Sequence, residues 1–431
     1  MKVVMNPIRP ALCEADGDFH LLVRLQSEPQ ADFKHTPLNV ALVIDRSGSM
    51  SGSKLEEAKR CVIDLVERMN PLDQVALVQY DNTIDTVMPL MQVEQAQKVL
   101  TAMVSCITAG GNTDLHAGWL RGSEMLAPRA GSDEACHVIL LSDGQANAGV
   151  VDTTSICGHV GALAGAGVTT TTVGLGVDFN EELMTAMAKA GQGNAHYGER
   201  AIDLAETFEA EIGMLSQLQW RSVELSVIQG PSQLEVLNAY ERTPSGWRLP
   251  SVAMGSECWA LLRIPSRAAL NAQRDHGTVL AIEVKATDAS GERQTFTGQL
   301  PTLPEVPASD YEALVPHELV QRRLHELAAA RLQLQIRVAA LNGDWRHVEA
   351  LLRELEILGR HEPWVAASIA FARQLMRDRD DQRMSKEMLY KSHKMQQRLS
   401  STDETHFSAS EQYEFPAFLR RKTTEGRRTE L

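Results

Sequence analysis

Ile44-Asp45-Arg46-Ser47-Gly48-Ser49-Met50 gathers hard oxygen donors into one short stretch. Asp45 offers a carboxylate. Ser47 and Ser49 offer hydroxyls, with Gly48 between them to let the backbone turn sharply. A hard divalent cation with octahedral demand, Mg²⁺ above all, selects such donors and keeps waters as well. Two other stretches carry matching groups. Ala109-Gly110-Gly111-Asn112-Thr113-Asp114 is a glycine-rich loop ahead of the helical pattern Leu115–Leu126, and Leu141-Ser142-Asp143-Gly144 closes an apolar run.

The elements that must position these groups are legible around them. Asn39–Ile44, Gln74–Tyr80, His137–Leu141 and Thr169–Leu175 are short apolar or β-branched runs, as expected of strands buried on both faces under helices. Helical patterns separate them. One opens at Ser53-Lys54-Leu55-Glu56, which reads as a capping box. It continues through Leu55, Ala58, Val62 and Leu65 and stops at Asn70-Pro71. Another takes Asn180 as its N-cap and ends at Gly191. The alternation predicts an α/β domain, a doubly wound, mostly parallel sheet, over 36–217. Ligands of such sheets bind at the carboxyl ends of the strands, so Thr113 and Asp143 are expected at the same edge as Asp45.

The flanking texture differs. Residues 1–35 hold one good strand candidate, Phe19–Leu25. Residues 218–305 alternate apolar and polar positions between turn residues, which predicts a small antiparallel β-sandwich. The strand near Phe19–Leu25 is expected to join that sandwich, leaving the α/β domain as an insertion. Pro301, Pro304 and Pro307 mark a linker. Residues 309–399 read as a helical hairpin or bundle, broken at Asn342-Gly343-Asp344 and His361-Glu362-Pro363. Leu324, Leu327, Leu334, Val338, Leu351, Leu352, Leu355 and Leu358 are its expected core. Residues 400–431 read as a disordered tail, locally basic at Arg420-Arg421-Lys422 and Arg427-Arg428. Basic residues beside Thr423, Thr424 and Thr429 make these candidate phosphorylation sites.

Composition narrows the function. The 431 residues carry 42 Lys and Arg against 56 Asp and Glu, a net charge of −14, and 5% aromatic residues. That balance argues against nucleic acid and against an anionic membrane surface, whose affinity comes from Lys and Arg. No apolar stretch is long enough to span a bilayer. The start MKVVMNPIRPAL has no apolar core of a signal peptide. The six cysteines are scattered without a C-x-x-C pair, so reduced thiols and a cytoplasmic location are expected. Gly48–Lys54 is no P-loop, because its glycine spacing is one short and Leu55 follows the Lys.

Ser and Asp also cluster at helix N-termini simply as caps. Ser53 is the expected cap here, which leaves Asp45, Ser47 and Ser49 for another task. Asp-x-Ser-x-Ser after the first strand, Thr113 in a Gly-Gly loop and Ser-Asp-Gly after a later strand together resemble the von Willebrand factor A domain, over about 36–217. The resemblance implies a metal-ion-dependent adhesion site of the type seen in bacterial cytosolic members. In it Ser47 and Ser49 ligate Mg²⁺ (or Mn²⁺) directly, while Asp45 and Asp143 ligate directly or through water. Thr113 ligates in the ligand-competent state, and the sixth position is left for an Asp or Glu of a partner protein. A non-enzymatic interaction module follows, a scaffold or regulator that could serve a Ser/Thr kinase or phosphatase system. The alternative is a non-catalytic subunit of an AAA+ ATPase chelatase or metal-insertion machine.

Overall fold

The computed structural model describes residues 1–14, 17–28, 37–130, 134–175, 179–198, 204, 208, 211–360, 363–396 and 400–401. The chain divides into two units. One comprises 1–33, 219–288 and 292–431; the other comprises 34–218 with 289–291.

The first unit begins with β1 (Lys2–Pro7) and β2 (Asp18–Gln26), an antiparallel pair. The second unit then carries a six-stranded sheet. Its strands are β3 (Leu38–Asp45), β4 (Gln74–Tyr80), β5 (Ile84–Gln92), β6 (Ala135–Ser142), β7 (Val168–Leu175) and β8 (Gln192–Gly198), in the order β5-β4-β3-β6-β7-β8. All neighbours are parallel except β5 with β4. Every residue of β3 and β6 is buried, as their continuous apolar runs require.

The helices of this unit are α1 (Ser53–Arg68), the short α2 (Val93–Ala96) and α3 (Leu100–Ser105), α4 (Leu115–Leu126), α5 (Thr153–Gly165) and α6 (Glu181–Ala190). On one face, Leu55, Ala58, Val62 and Leu65 of α1 meet Val40, Leu42 and Ile44 of β3 in a single core. On the other face α4 lies against the sheet through its glycines. A Cβ on Gly118 would come within 2.3 Å of the Tyr80 ring, and one on Gly122 within 2.5 Å of Val43 Cγ2. These two glycines, four residues apart on one helix face, let α4 approach β3 and β4 more closely than side chains would allow.

The chain then returns to the first unit. Its strands are β9 (Leu218–Gln229), β10 (Glu235–Val236), β11 (Glu241–Arg242), β12 (Trp247–Arg248), β13 (Val252–Ala253), β14 (Ser256–Pro265), β15 (Ala281–Asp288) and β16 (Arg293–Gln299). Helix α7 (Ser266–His276) intervenes after β14. One antiparallel sheet runs β1-β2-β14-β10, and the other β11-β12-β9-β15-β16 with β13 beside β9. β2 pairs β14 along its whole length, from Asp18↔Pro265 to Gln26↔Glu257, so the two parts of this unit flank the α/β insertion. The sheets come close where Gly298 faces Val3.

Then follow α8 (Ala308–Ala313), α9 (Glu318–Leu341), α10 (Trp345–Gly359), α11 (Pro363–Asp378) and α12 (Asp381–Gln396). Ala329, Ala330, Ile336, Leu351, Leu352, Leu355, Met384 and Met388 share one core. Arg323 of α9 is fully buried. Its guanidinium pairs with Glu326 at 2.8 Å and lies 4.7 Å over the Trp259 ring.

The fold class expected from the sequence is the one observed: a mostly parallel sheet under helices, with further antiparallel sheets and C-terminal helices. Several local expectations need correction. Ser53 does not cap α1. Gly52 holds that place at φ 80°, Ser53 is the first helical residue, and the Glu56 carboxylate instead accepts from Lys59 at 2.8 Å. Val338 is 55% exposed rather than core, because it lies two residues, about 200° around the helix, from buried Ile336. Ser400 and Ser401, placed in a disordered tail by the sequence, form β17 against Glu257 and Ser256 of β14. The remainder of that tail, including Thr423, Thr424 and Thr429, lies outside the described residues.

Candidate metal centre

Asp45 ends β3, and the chain turns at once. Asp45 Oδ1 accepts from the Ser47 amide at 2.8 Å, and residues Gly48–Met50 make a single 3₁₀ turn. This short local bond sets the direction in which the two serines leave the strand. Their hydroxyls lie 3.1 Å apart. Neither the 3₁₀ turn nor α1 has a side-chain N-cap, so Ser47 and Ser49 are not spent on capping.

The glycine-rich loop is tied directly to this turn. The Gly48 amide donates to the Gly111 carbonyl at 3.1 Å, and the Gly110 amide donates to the Arg46 carbonyl at 2.8 Å. Gly111 suits this turn because its φ is 72°, a left-handed conformation that other residues adopt only with strain. The Thr113 amide donates to Asn147 Oδ1 at 2.7 Å, and Asp114 caps α4 by accepting from the Ala117 amide at 3.0 Å. The close seat of α4 on the sheet therefore fixes where Thr113 stands.

The third stretch crosses from β6. Ser142 Oγ donates to Asp45 Oδ2 at 2.6 Å and accepts from the Gly144 amide at 2.8 Å. Asp143 follows, with its carbonyl accepting from the Asn180 amide at 2.9 Å. β3 and β6 are parallel neighbours, so Asp45 and Asp143 emerge at the same end of the sheet.

The electrostatics are those of a site short of positive charge. Asp45 and Asp143 are both fully buried. Burial pushes the Asp45 carboxyl above its ordinary range, and the Asp143 charge adds to this. Hydrogen bonds from Ser142 and Ser47 pull the other way. Burial likewise pushes the Tyr80 phenol well up, with the Asp45 charge adding to it. Lys54 Nζ lies 3.5 Å from Asp143 Oδ2. The other nearby cation, Arg46, is engaged elsewhere: it pairs with Asp81 at 3.1 Å and donates to Thr83 Oγ1 at 2.9 Å.

Two buried carboxylates beside two serine hydroxyls and a threonine make a donor set of hard oxygens. Such a set suits Mg²⁺ or Mn²⁺ and not a thiolate- or imidazole-seeking metal. A divalent cation here would supply the charge that makes an ionised Asp45 favourable. Among the described residues no cluster of three or more His, Cys, Asp or Glu suited to a metal is found.

Asp45, Ser47, Ser49, Thr113 and Asp143, all singled out in the sequence, thus stand on three loops at one end of one sheet. Sequence reasoning missed the residues that hold them. Ser142 carried a readable sign, a hydroxyl at the buried end of a strand next to Asp143. Lys54 shows in the sequence only as part of the capping box and of a P-loop look-alike. Asn147 lies in a loop with no local pattern, and its bond to the Thr113 amide spans 34 positions.

Residues 39–210 match the von Willebrand factor type A domain. An uncharacterized protein of Synechocystis is 28% identical over 46% of this chain and 46% of its own length. The human inter-alpha-trypsin inhibitor heavy chain H3 is 32% identical over 37% of this chain and 19% of its own. The chain thus spans less than half the length of these curated relatives. Among solved structures, a von Willebrand factor type A protein from Catenulispora acidiphila superposes with a TM-score of 0.67 at 17% identity, covering 90% of this chain and 96% of that one. That likeness shows a shared fold through both units. Residues 39–210 are a von Willebrand factor type A domain, the module class that the motifs of the sequence resemble.

Proposed function

We propose that the von Willebrand factor A domain of this chain is a non-enzymatic protein-binding module whose partner contact is made through a divalent cation. The observation that carries this reading is the pairing of two fully buried carboxylates, Asp45 and Asp143, with the Ser47 and Ser49 hydroxyls at the end of one sheet.

In this reading Asp45, Ser47, Ser49, Thr113 and Asp143 hold Mg²⁺, or Mn²⁺ in its place. The bound cation supplies a concentrated positive charge that attracts a carboxylate even on an acidic protein. The residues do the rest. Ser142 fixes the Asp45 carboxylate, the Asn147 side chain fixes the Thr113 loop, and the surrounding loops give the partner its specificity. The partner is a protein that presents an exposed Asp or Glu. A cytosolic setting fits six cysteines scattered along the chain without a C-x-x-C pair.

The test is capture of partners from a native lysate on the immobilised full chain in Mg²⁺, in EDTA, and with Asp45→Ala in Mg²⁺. The expected result is a protein retained only by the first. Equal recovery in all three would overturn the reading.

A further inference from the structure

Lys54 is the second residue of α1, directly after the turn that carries Ser47 and Ser49. Its ammonium reaches back to Asp143 Oδ2 at 3.5 Å. The two ends of this pair live in different surroundings, since the Lys54 side chain is 22% exposed and that of Asp143 is fully buried. The long Lys stem therefore delivers a charge into the site while keeping a route to water.

Without a cation, Asp45 and Asp143 are two like charges held out of solvent, and their mutual repulsion adds to the cost of burial. Lys54 offsets that repulsion from one side. With a divalent cation beside Asp143, the same ammonium becomes a like-charged neighbour in a weakly screened site. Arg46 faces no such conflict, because Asp81 and Asp85 hold it at 3.1 Å and 3.6 Å.

We propose that Lys54 is a tethered counter-ion of the metal centre, so that its pairing with Asp143 and occupancy by a divalent cation exclude one another. This rests on the reading of Asp45, Ser47, Ser49, Thr113 and Asp143 as the metal-holding set. Loading the site requires Lys54 to swing to solvent, which lowers the affinity for the cation and keeps the empty domain electrostatically compensated. The centre is thereby tuned to respond to changes in free Mg²⁺ instead of staying saturated.

The experiment is a titration of the full-length protein with Mn²⁺, following the electron paramagnetic resonance signal of the free aquo ion. Wild type, Lys54→Met, Lys54→Gln and Asp45→Ala are compared at one ionic strength and pH. The expected result is saturable binding by wild type, lost in Asp45→Ala, and tightened at least about tenfold in both Lys54 variants. A merely structural salt bridge would not tighten binding when removed. Lys54 variants that bind Mn²⁺ as wild type does, or more weakly, would overturn the proposal while leaving the metal reading intact. Absence of Asp45-dependent binding in wild type and Lys54 variants alike would bring down the metal reading, and this proposal with it.

Discussion

Ser142 Oγ donates to Asp45 Oδ2 at 2.6 Å, joining the ends of two adjacent parallel strands inside the candidate metal centre. This bond holds one carboxylate oxygen in place and, with the Ser47 amide on the other, opposes the rise in the Asp45 pKa that burial causes.

Ser142→Ala should therefore damage the site without touching a donor of the proposed metal set. The Asp45 carboxyl should rise further, and divalent affinity should fall about 10- to 100-fold, the range for residues that orient metal ligands. The lost buried bond should cost about 1–3 kcal/mol of stability. Calorimetric Mg²⁺ titration and urea unfolding of the same preparation check the two effects separately.

The α/β unit should weaken in mild acid through a buried histidine on β6, the strand that leads to Asp143. His137 of β6 is buried, with Nδ1 2.6 Å from Thr169 Oγ1 and Nε2 3.6 Å from Glu211 Oε1. Burial pushes its pKa down to about 4, and the charge on Glu211 opposes this only in part. The unfolded chain takes up this proton near pH 6.5 and the folded chain only near 4, so stability is lost as pH falls between those values. The loss should approach about 3 kcal/mol. Glu211, kept low against its burial by His196, adds a loss in the same direction at still lower pH. Urea midpoints from pH 7.5 to 4.5 test this, and His137→Asn should flatten the curve.

The glycines of α4 give a prediction of opposite sign from those of α5. Ala at Gly118 gains about 1 kcal/mol of helix propensity. Its Cβ would nevertheless sit 2.3 Å from Tyr80 Cγ, deep in the ring's attachment, where it cannot swing aside. Gly118→Ala and Gly122→Ala should each be net destabilising by about 1–3 kcal/mol. Both should also lower divalent affinity, because α4 carries the Thr113 loop. Gly158 of α5 has nothing within 4 Å of its would-be Cβ, so Gly158→Ala should stabilise by up to about 1 kcal/mol. Thermal unfolding of the three variants distinguishes steric from propensity control.

The elements that surround the site were readable because they obey strong local rules. Val40, Leu42 and Ile44 alternate with Ala41 and Val43 in a run with no polar face, and only a doubly covered strand tolerates that. Asp45, Ser47 and Ser49 were readable because their spacing serves one chemistry. What escaped notice had weak local patterns. β5 carries Pro89 and is half exposed at a sheet edge, and β8 (QGNAHYG) holds two glycines and little apolar surface. β1 depends on a partner, β2, reached only through the fold. The Ser53 cap failed because Gly52, adopting a left-handed φ, already provided the turn into α1. Lys54 could not be assigned from sequence, and Ser142 only as a hydroxyl beside Asp143, since their partners meet only once β3, β6 and α1 converge.

The most direct test of the central claim is a calorimetric titration of Mg²⁺ into the metal-free full chain and into Asp45→Ala and Ser47→Ala, each shown to be folded by circular dichroism. Saturable binding of one Mg²⁺ per chain by wild type, abolished in both variants, is the predicted result. No saturable binding by wild type, or binding that survives in both variants, would contradict it.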